Sequence, residues 1–486
     1  MKHMITAACC TLAPSPFLMA QKQMPNIVFI LADDMGYGDL GCFNKDSKIQ
    51  TPNMDDLAAN GQLYTDAHSS SSVSTPSRYS ILTGRYAWRS SLKRGVLFGH
   101  DKALIEPERP TVASMLKANG YRTACIGKWH LGLGWQTTDG QVAARDGKNI
   151  DYAAVIQDAP VDRGFDYFYG IPASLDMPPF LLIENNHVID EPSVYYDSEQ
   201  KNPYTKRRPG YAVKGRKPDF FLPEFTRKAV EKIDEFAKDD RPFFLYFALN
   251  APHTPIAPSK DFKGTSKAGS YGDFVAEVDH VVGKVKEALK KNGLFDNTLL
   301  IVTSDNGPET HAYNRGKEYQ HYSAGHLKGI KRDLWEGGHR IPFIASWPKG
   351  IRKQGQVNHT VCLADFYATA LDIVGGKKQS DEAEDSYSFF PLMQGKKETA
   401  RQFTVHHSGR GVFAIRKGDW VLIDGWGNDN RITTVAEAYY LSRGYKQVPH
   451  QSELYNLEAD PREFRNEYAN RPEIVKELKQ LLEKTK

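Results

Sequence analysis

Two apolar runs, each ending in paired oxygen-bearing side chains, limit the fold of this chain more than any other feature. "PNIVFILADD" ends in Asp33 and Asp34, and "NTLLIVTSDN" ends in Asp305 and Asn306. Short, unbroken apolar runs are the pattern of strands buried on both faces of a parallel sheet. "YRTACIGKWH" and "RPFFLYFALNAPH" repeat the design and deliver Lys128, His130 and His253 at their ends. Amphipathic stretches such as "TVASMLKANG" and "FTRKAVEKIDEFAKDD" alternate with them. The expectation is therefore an α/β fold with helices on both faces of the sheet. In such sheets ligands gather beyond the carboxyl ends of the strands, so four strand ends converge on one site.

Asp and Asn at one strand end are an ordinary turn signal. Two such pairs offer three carboxylates and an amide oxygen, a hard donor set that suits Ca2+ or Mg2+ better than zinc. The stretch "SVSTPSRYSILTGRY" raises a second question. Ser, Thr and Pro76 make a common helix start and Gly84 a common stop. Arg78 in the first turn does not fit, because the helix dipole prefers anions there; it points to a bound anion or a reactive oxygen.

Composition excludes little else. The chain of 486 residues is 40% hydrophobic and 25% charged, with a net charge of +4, which singles out neither a polyanion nor a bilayer as partner. No nucleic acid or integral membrane association is expected. Residues 1–20 resemble an export signal, with an unstructured tail as the alternative; periplasmic release is expected, ahead of lipid attachment at Cys9 or Cys10. Cys42, Cys125 and Cys362 are scattered without metal-ligand spacing and read as buried thiols. Between about 135 and 225 the periodicity gives way to Gly, Pro, Asp and Tyr, as in long substrate-binding loops. A polar break at "GGKKQSDEAEDS" precedes a hairpin pattern, "GVFAIRKGDWVLI", and a terminal amphipathic helix, "RPEIVKELKQLLEK". The expected units are a catalytic domain over 25–378, with the loop insertion at 135–225, and a smaller α+β subdomain with an antiparallel sheet over 385–486.

"STPSRYSILTGR" resembles the signature of the formylglycine-dependent (type I) sulfatases, in its serine form. "NIVFILADDMGYGDLG", "GYRTACIGKWHLG", "APHTP", "TSDNG", "LKGIKRDLWEGG" and "ELYNLEADPRE" are similar to that family's successive blocks, and "GFDYFYGIPASLD" to its arylsulfatase A-like branch. The resemblance implies an alkaline-phosphatase-like, mostly parallel sheet. It also implies that Ser74 is oxidised to 3-oxoalanine (formylglycine), whose hydrate attacks sulfur and passes through a covalent sulfo-enzyme. One Ca2+ would be held by Asp33, Asp34, Asp305, Asn306 and residue 74. Arg78, Lys128 and His130 would hold the hydrate. His253 and Lys331 would face sulfate and the leaving oxygen, with Lys328 as the rival of Lys331, and Ser174 would contact sulfate.

The serine form implies an anaerobic radical maturase as a transient partner, acting before export in a bacterium living without oxygen. An introduced Cys-to-Ser replacement, which would leave an inert protein, is the alternative. The expected substrate is a sulfated glycan, through an exposed galactose or N-acetylhexosamine, and aryl sulfates. Asp176, His407 and the aromatic loop 166–170 are candidate sugar contacts, with a scaffold role as the alternative for each. Two other readings are a two-zinc phosphohydrolase of the same superfamily and a non-catalytic glycan-binding relic. The hard oxygen set speaks against the first and the full catalytic set against the second.

Overall fold

The computed structural model describes residues 24–198, 204–430, 432–446 and 451–486. The leader expected at 1–20, with Cys9 and Cys10, lies outside them. At the centre is a ten-stranded mixed sheet. Its middle is parallel: Thr298–Ser304, Asn26–Ala32, Phe243–Ala248, Arg122–Lys128 and Tyr167–Ile171 lie side by side in that order. Phe343–Ser346 then runs antiparallel along Thr298–Ser304. Side-chain alternation sends Ile27, Phe29 and Leu31 into one core with Tyr79, Ile81, Val112 and Phe366. Val28, Ile30 and Ala32 enter a second core with Phe225, Ile233, Phe274 and Val278. Those partners come from helices on both faces, which explains why the runs are apolar at every position.

The chain after 400 forms a separate four-stranded antiparallel sheet: Phe403–His407, Phe413–Lys417, Trp420–Ile423 and Glu453–Asn456. The helix Pro472–Thr485 closes it, with Val475, Leu478 and Leu482 on Val405, Ile415 and Leu422. That core also takes in Tyr86 and Trp88 from the large unit. The first strand of the small sheet holds the backbone before Ser74: Ser72 donates its N–H to the His407 carbonyl at 3.2 Å, and His407 donates to Ser70 at 3.2 Å.

The segment 166–170, expected as a loop, belongs to the central sheet. Tyr167–Ile171 is a strand of the central sheet, and Asp166, at its start, bonds the backbone and hydroxyl of Thr123 at 2.9 and 3.2 Å. Asp166 thus sits at the end of the parallel strands away from Asp33, and none of residues 166–170 lines the space beyond the other end. Cys125 and Cys362 are buried, whereas Cys42 is partly exposed, and all three are free thiols.

Candidate active site

Ser74 opens the helix Ser74–Thr83, which ends at Gly84 in a left-handed conformation, φ 64°. All ten residues of this helix are buried, the polar ones included. The Ser74 hydroxyl lies 3.4 Å from Asp33 Oδ1 and 3.3 Å from Asn306 Oδ1. Asp33 and Asp34 follow directly on the strand Asn26–Ala32, and Asp305 and Asn306 on Thr298–Ser304. Parallel pairing of those strands brings the four side chains together. The Asp34 N–H donates to Asp305 Oδ1 at 3.2 Å, and Asn306 Nδ2 donates to Asp34 Oδ1 at 2.8 Å.

That amide bond turns Asn306 Oδ1 towards Ser74 and Asp33, so carboxylate, amide and hydroxyl oxygens face one another in a fully buried space. Such a set fits a hard divalent cation, and Asp33, Asp34, Ser74, Asp305 and Asn306 are the residues that could hold it. Asp33 and Asp34 also bring their oxygens within 4.8 Å of a His253 nitrogen.

Cations surround this acid cluster. Arg78 donates to Asp305 Oδ2 through Nε at 3.1 Å and Nη2 at 2.8 Å, and Nη2 lies 3.3 Å from Asp33. Arg78, the fifth residue of this helix, is thus held by buried carboxylates beyond its first turn. Lys128 Nζ is 2.7 Å from Asp33 Oδ2, and Lys331 Nζ is 2.7 Å from Asp34 Oδ2. Burial opposes ionisation of Asp33, yet Lys128, His253, Arg78 and Lys331 together hold its carboxyl well below the usual range. Burial raises Asp305, against the pull of Arg78. For Lys331 burial is outweighed by Asp34 and Glu309, and its ammonium is held above the ordinary range.

The two histidines differ in a way that matters for proton transfer. His130, at φ 60°, donates Nε2–H to the Leu97 carbonyl at 2.8 Å, which leaves Nδ1 as the lone-pair nitrogen, buried and without a partner. Burial, with Lys128 and Arg78 nearby, keeps the ring neutral, its pKa well below the ordinary value. His253 donates Nδ1–H to the Thr254 carbonyl at 2.6 Å, and its Nε2 stands 3.6 Å from Asp34 Oδ2 at the cavity wall.

A cavity of about 620 Å³ opens over the cluster, lined by Ser74, His130, His253 and Lys331 together with Asp176. Asp176 pairs there with Arg208. Ser174 is buried with no partner for its hydroxyl and does not line the cavity. Lys328, the rival of Lys331, points elsewhere: Nζ donates to the Tyr455 hydroxyl at 3.1 Å and lies 4.0 Å over the Trp335 ring.

His407 is 1% exposed, lies beside Trp88 and Phe413 at 5.2 and 5.9 Å, and does not line the cavity. The sequence reading also missed wall residues. Glu309, three positions after Asn306, bonds Arg332 at 2.6 Å and lies 3.6 Å from Lys331. Its place in "DNGPET" was the available signal. Arg208 lies in the basic run "KRRPG", while Arg410 and Asp429 come from the small unit in loops without periodicity.

A family model described as sulfatase matches residues 25–376, and one described as N-sulphoglucosamine sulphohydrolase, C-terminal, matches 328–486. An N-acetylgalactosamine-6-O-sulfatase of Bacteroides thetaiotaomicron is 32% identical over 501 aligned positions, covering 96% of this chain and 94% of its own. Human arylsulfatase A is 33% identical, covering 95% and 88%. A solved 6S-sulfatase structure from work on glycosaminoglycan metabolism by Bacteroides thetaiotaomicron superposes with a TM-score of 0.81 at 30% identity, covering 95% of this chain and 99% of that one. A sulfatase structure from Pseudoalteromonas sp. gives a TM-score of 0.73 at 25% identity, covering 95% and 90%.

Proposed function

Because the chain belongs to the sulfatase family and is a sulfatase acting on sulfate esters of glycans, we propose that it removes sulfate from a galactose or N-acetylhexosamine unit, and also from aryl sulfates. The observation that carries this reading is the meeting of the Ser74 hydroxyl, the four oxygen-bearing strand-end residues and a ring of cations at the floor of one cavity. Ser74 oxidised to 3-oxoalanine by a radical maturase would supply a hydrated aldehyde as nucleophile, and Ca2+ held by Asp33, Asp34, Ser74, Asp305 and Asn306 would lower its pKa and polarise sulfate. Export to the periplasm accords with the N-terminal sequence. Among the described residues no helix is long and apolar enough to cross a membrane.

The protein's own groups then have distinct tasks. Arg78 and Lys128 orient residue 74 through Asp33 and Asp305, and Lys331 reaches the cavity to balance charge on the transferring group. His130 Nδ1, neutral and unpartnered, accepts a proton at residue 74. With Nδ1–H committed to Thr254, protonated His253 can present Nε2–H to the leaving oxygen. This division of labour is testable. His253→Ala should slow hydrolysis of a sugar sulfate by about a hundredfold to ten-thousandfold, and of an aryl sulfate far less, because a phenolate leaves without an acid. Equal losses on both substrates in steady-state assays would remove His253 from the acid role.

A further inference from the structure

We infer that a second groove, separated from the catalytic cavity by the segment 95–102, binds a remote sugar unit of the same glycan; this rests on the glycan reading above. The groove encloses about 590 Å³, close to the 620 Å³ of the catalytic cavity. Gly95 and Val96 line the cavity, whereas His100 and Lys102 line the groove. The four residue steps from Val96 to His100 span at most about 14 Å, so one oligosaccharide can touch both. Side chains also connect the two. Arg208 of the cavity lies 5.3 Å over the Phe98 ring, and Phe98 stacks on His100 at 5.7 Å.

The groove has the chemistry of a saccharide site. Trp135 is half-buried, its indole N–H donated to the Gly99 carbonyl at 2.8 Å and its ring set edge-on to Tyr152 at 6.2 Å. It is thus a fixed apolar platform of the kind that meets the C–H face of a pyranose. The side-chain amides of Gln136, Gln141 and Gln157 line the same space, and none makes a hydrogen bond to another described residue. Each offers two donors and an acceptor to hydroxyl groups.

The His100 side chain is only 9% exposed, yet its Nδ1 has no partner. A buried polar atom left unpaired in a cavity wall marks a place where a ligand group completes the bonding. Charge is sparse: Asp158 is tied to Arg163 at 2.7 Å, which leaves Lys102 as the cation without an ion pair among the described residues lining the groove. A sugar carrying at most one acidic group fits this balance better than a polyanion. The walls are held in place before any ligand arrives, since Gly134 and Gln157 exchange backbone hydrogen bonds at 2.7 and 3.0 Å.

The test compares a hexasaccharide bearing 6-O-sulfated N-acetylgalactosamine with the 6-sulfated monosaccharide and an aryl sulfate, on the full chain. In Trp135→Ala, and in the exposed double variant Gln136→Ala/Gln157→Ala, kcat/KM for the hexasaccharide should fall about tenfold through KM. Turnover of the two small substrates should be unchanged. The double variant guards against a folding defect in Trp135→Ala, and calorimetry with the chemically desulfated hexasaccharide should show binding to the wild type that both variants lose. Unchanged hexasaccharide kinetics in both variants, equal losses on all three substrates, or no wild-type binding of the desulfated hexasaccharide would overturn the groove. Wild-type hydrolysis of aryl sulfate without hydrolysis of either sugar sulfate would instead refute the glycan reading, while the calorimetric result still decides the groove.

Discussion

Ser74 makes only long contacts, at 3.3 and 3.4 Å, so its hydroxyl contributes little to stability. Ser74→Ala should shift unfolding by about 1 kcal/mol or less while aryl sulfate turnover disappears, checked by denaturant titration beside a steady-state assay. Asp305 is the opposite case, because it is the main partner of a buried guanidinium. Asp305→Ala should cost about 3–5 kcal/mol by leaving Arg78 poorly paired. If Asp305 also holds a cation, a chelator should lower the wild-type melting point and leave that of Asp305→Ala unmoved. The acid pairs were legible because each closes an unbroken apolar run, and strand pairing did the rest. Arg410 and Asp429 were not, since nothing in a loop sequence says which distant strand end it will cover. Nor does sequence tell that Trp88 packs on His407, whereas the spacing of Lys331 before Glu336 did favour it over Lys328, and Lys331 faces Asp34 while Lys328 faces Tyr455.

Among the elements, the buried parallel strands were readable, and Tyr167–Ile171 was not, because Asp, Gly and aromatic residues at 166–170 imitate a loop until a neighbouring strand pairs with them. The helix Ser74–Thr83 has no exposed face although Ser74, Thr75, Ser77, Arg78, Ser80 and Thr83 are polar or charged, so periodicity could mark its ends but not its complete burial. A different lesson comes from His68, His339 and His406, which join the strand Ala67–His68, the short helix Glu336–His339 and the strand Phe403–His407. His339 and His406 stack at 4.0 Å with an 11° tilt, an arrangement that no single ion can share in both ring planes. His339 ties these elements together: Nε2 faces the Leu334 carbonyl at 3.0 Å, Nδ1 faces His68 at 3.0 Å, and burial pushes its pKa down to about 4. The unfolded chain takes up that proton near pH 6.5, so stability present above this value is lost as the pH falls towards 4, by on the order of 3 kcal/mol. His406 is depressed by burial and adds in the same direction. His339→Gln should flatten the fall in urea midpoint between pH 7.5 and pH 5, even if the variant is less stable at neutral pH.

At the scale of the whole molecule, the small sheet is part of the candidate site. Arg410 and Asp429 line the cavity, and the strand Phe403–His407 fixes the loop that leads into Ser74. The C-terminal hairpin and helix were readable from their patterns, but their docking against Tyr86 and Trp88 was not, since the apolar residues involved look like ordinary core in each unit. The docking also imposes an order in time. Ser71 donates its hydroxyl to the His407 carbonyl across 336 residues of chain, and Ser74 in the finished fold is 1% exposed. A ribosome therefore makes the serine long before it makes the strand that shuts it in. An enzyme that oxidised Ser74 would therefore have freest access to it before the last sixth of the polypeptide, beginning at the strand Phe403–His407, docks against the loop.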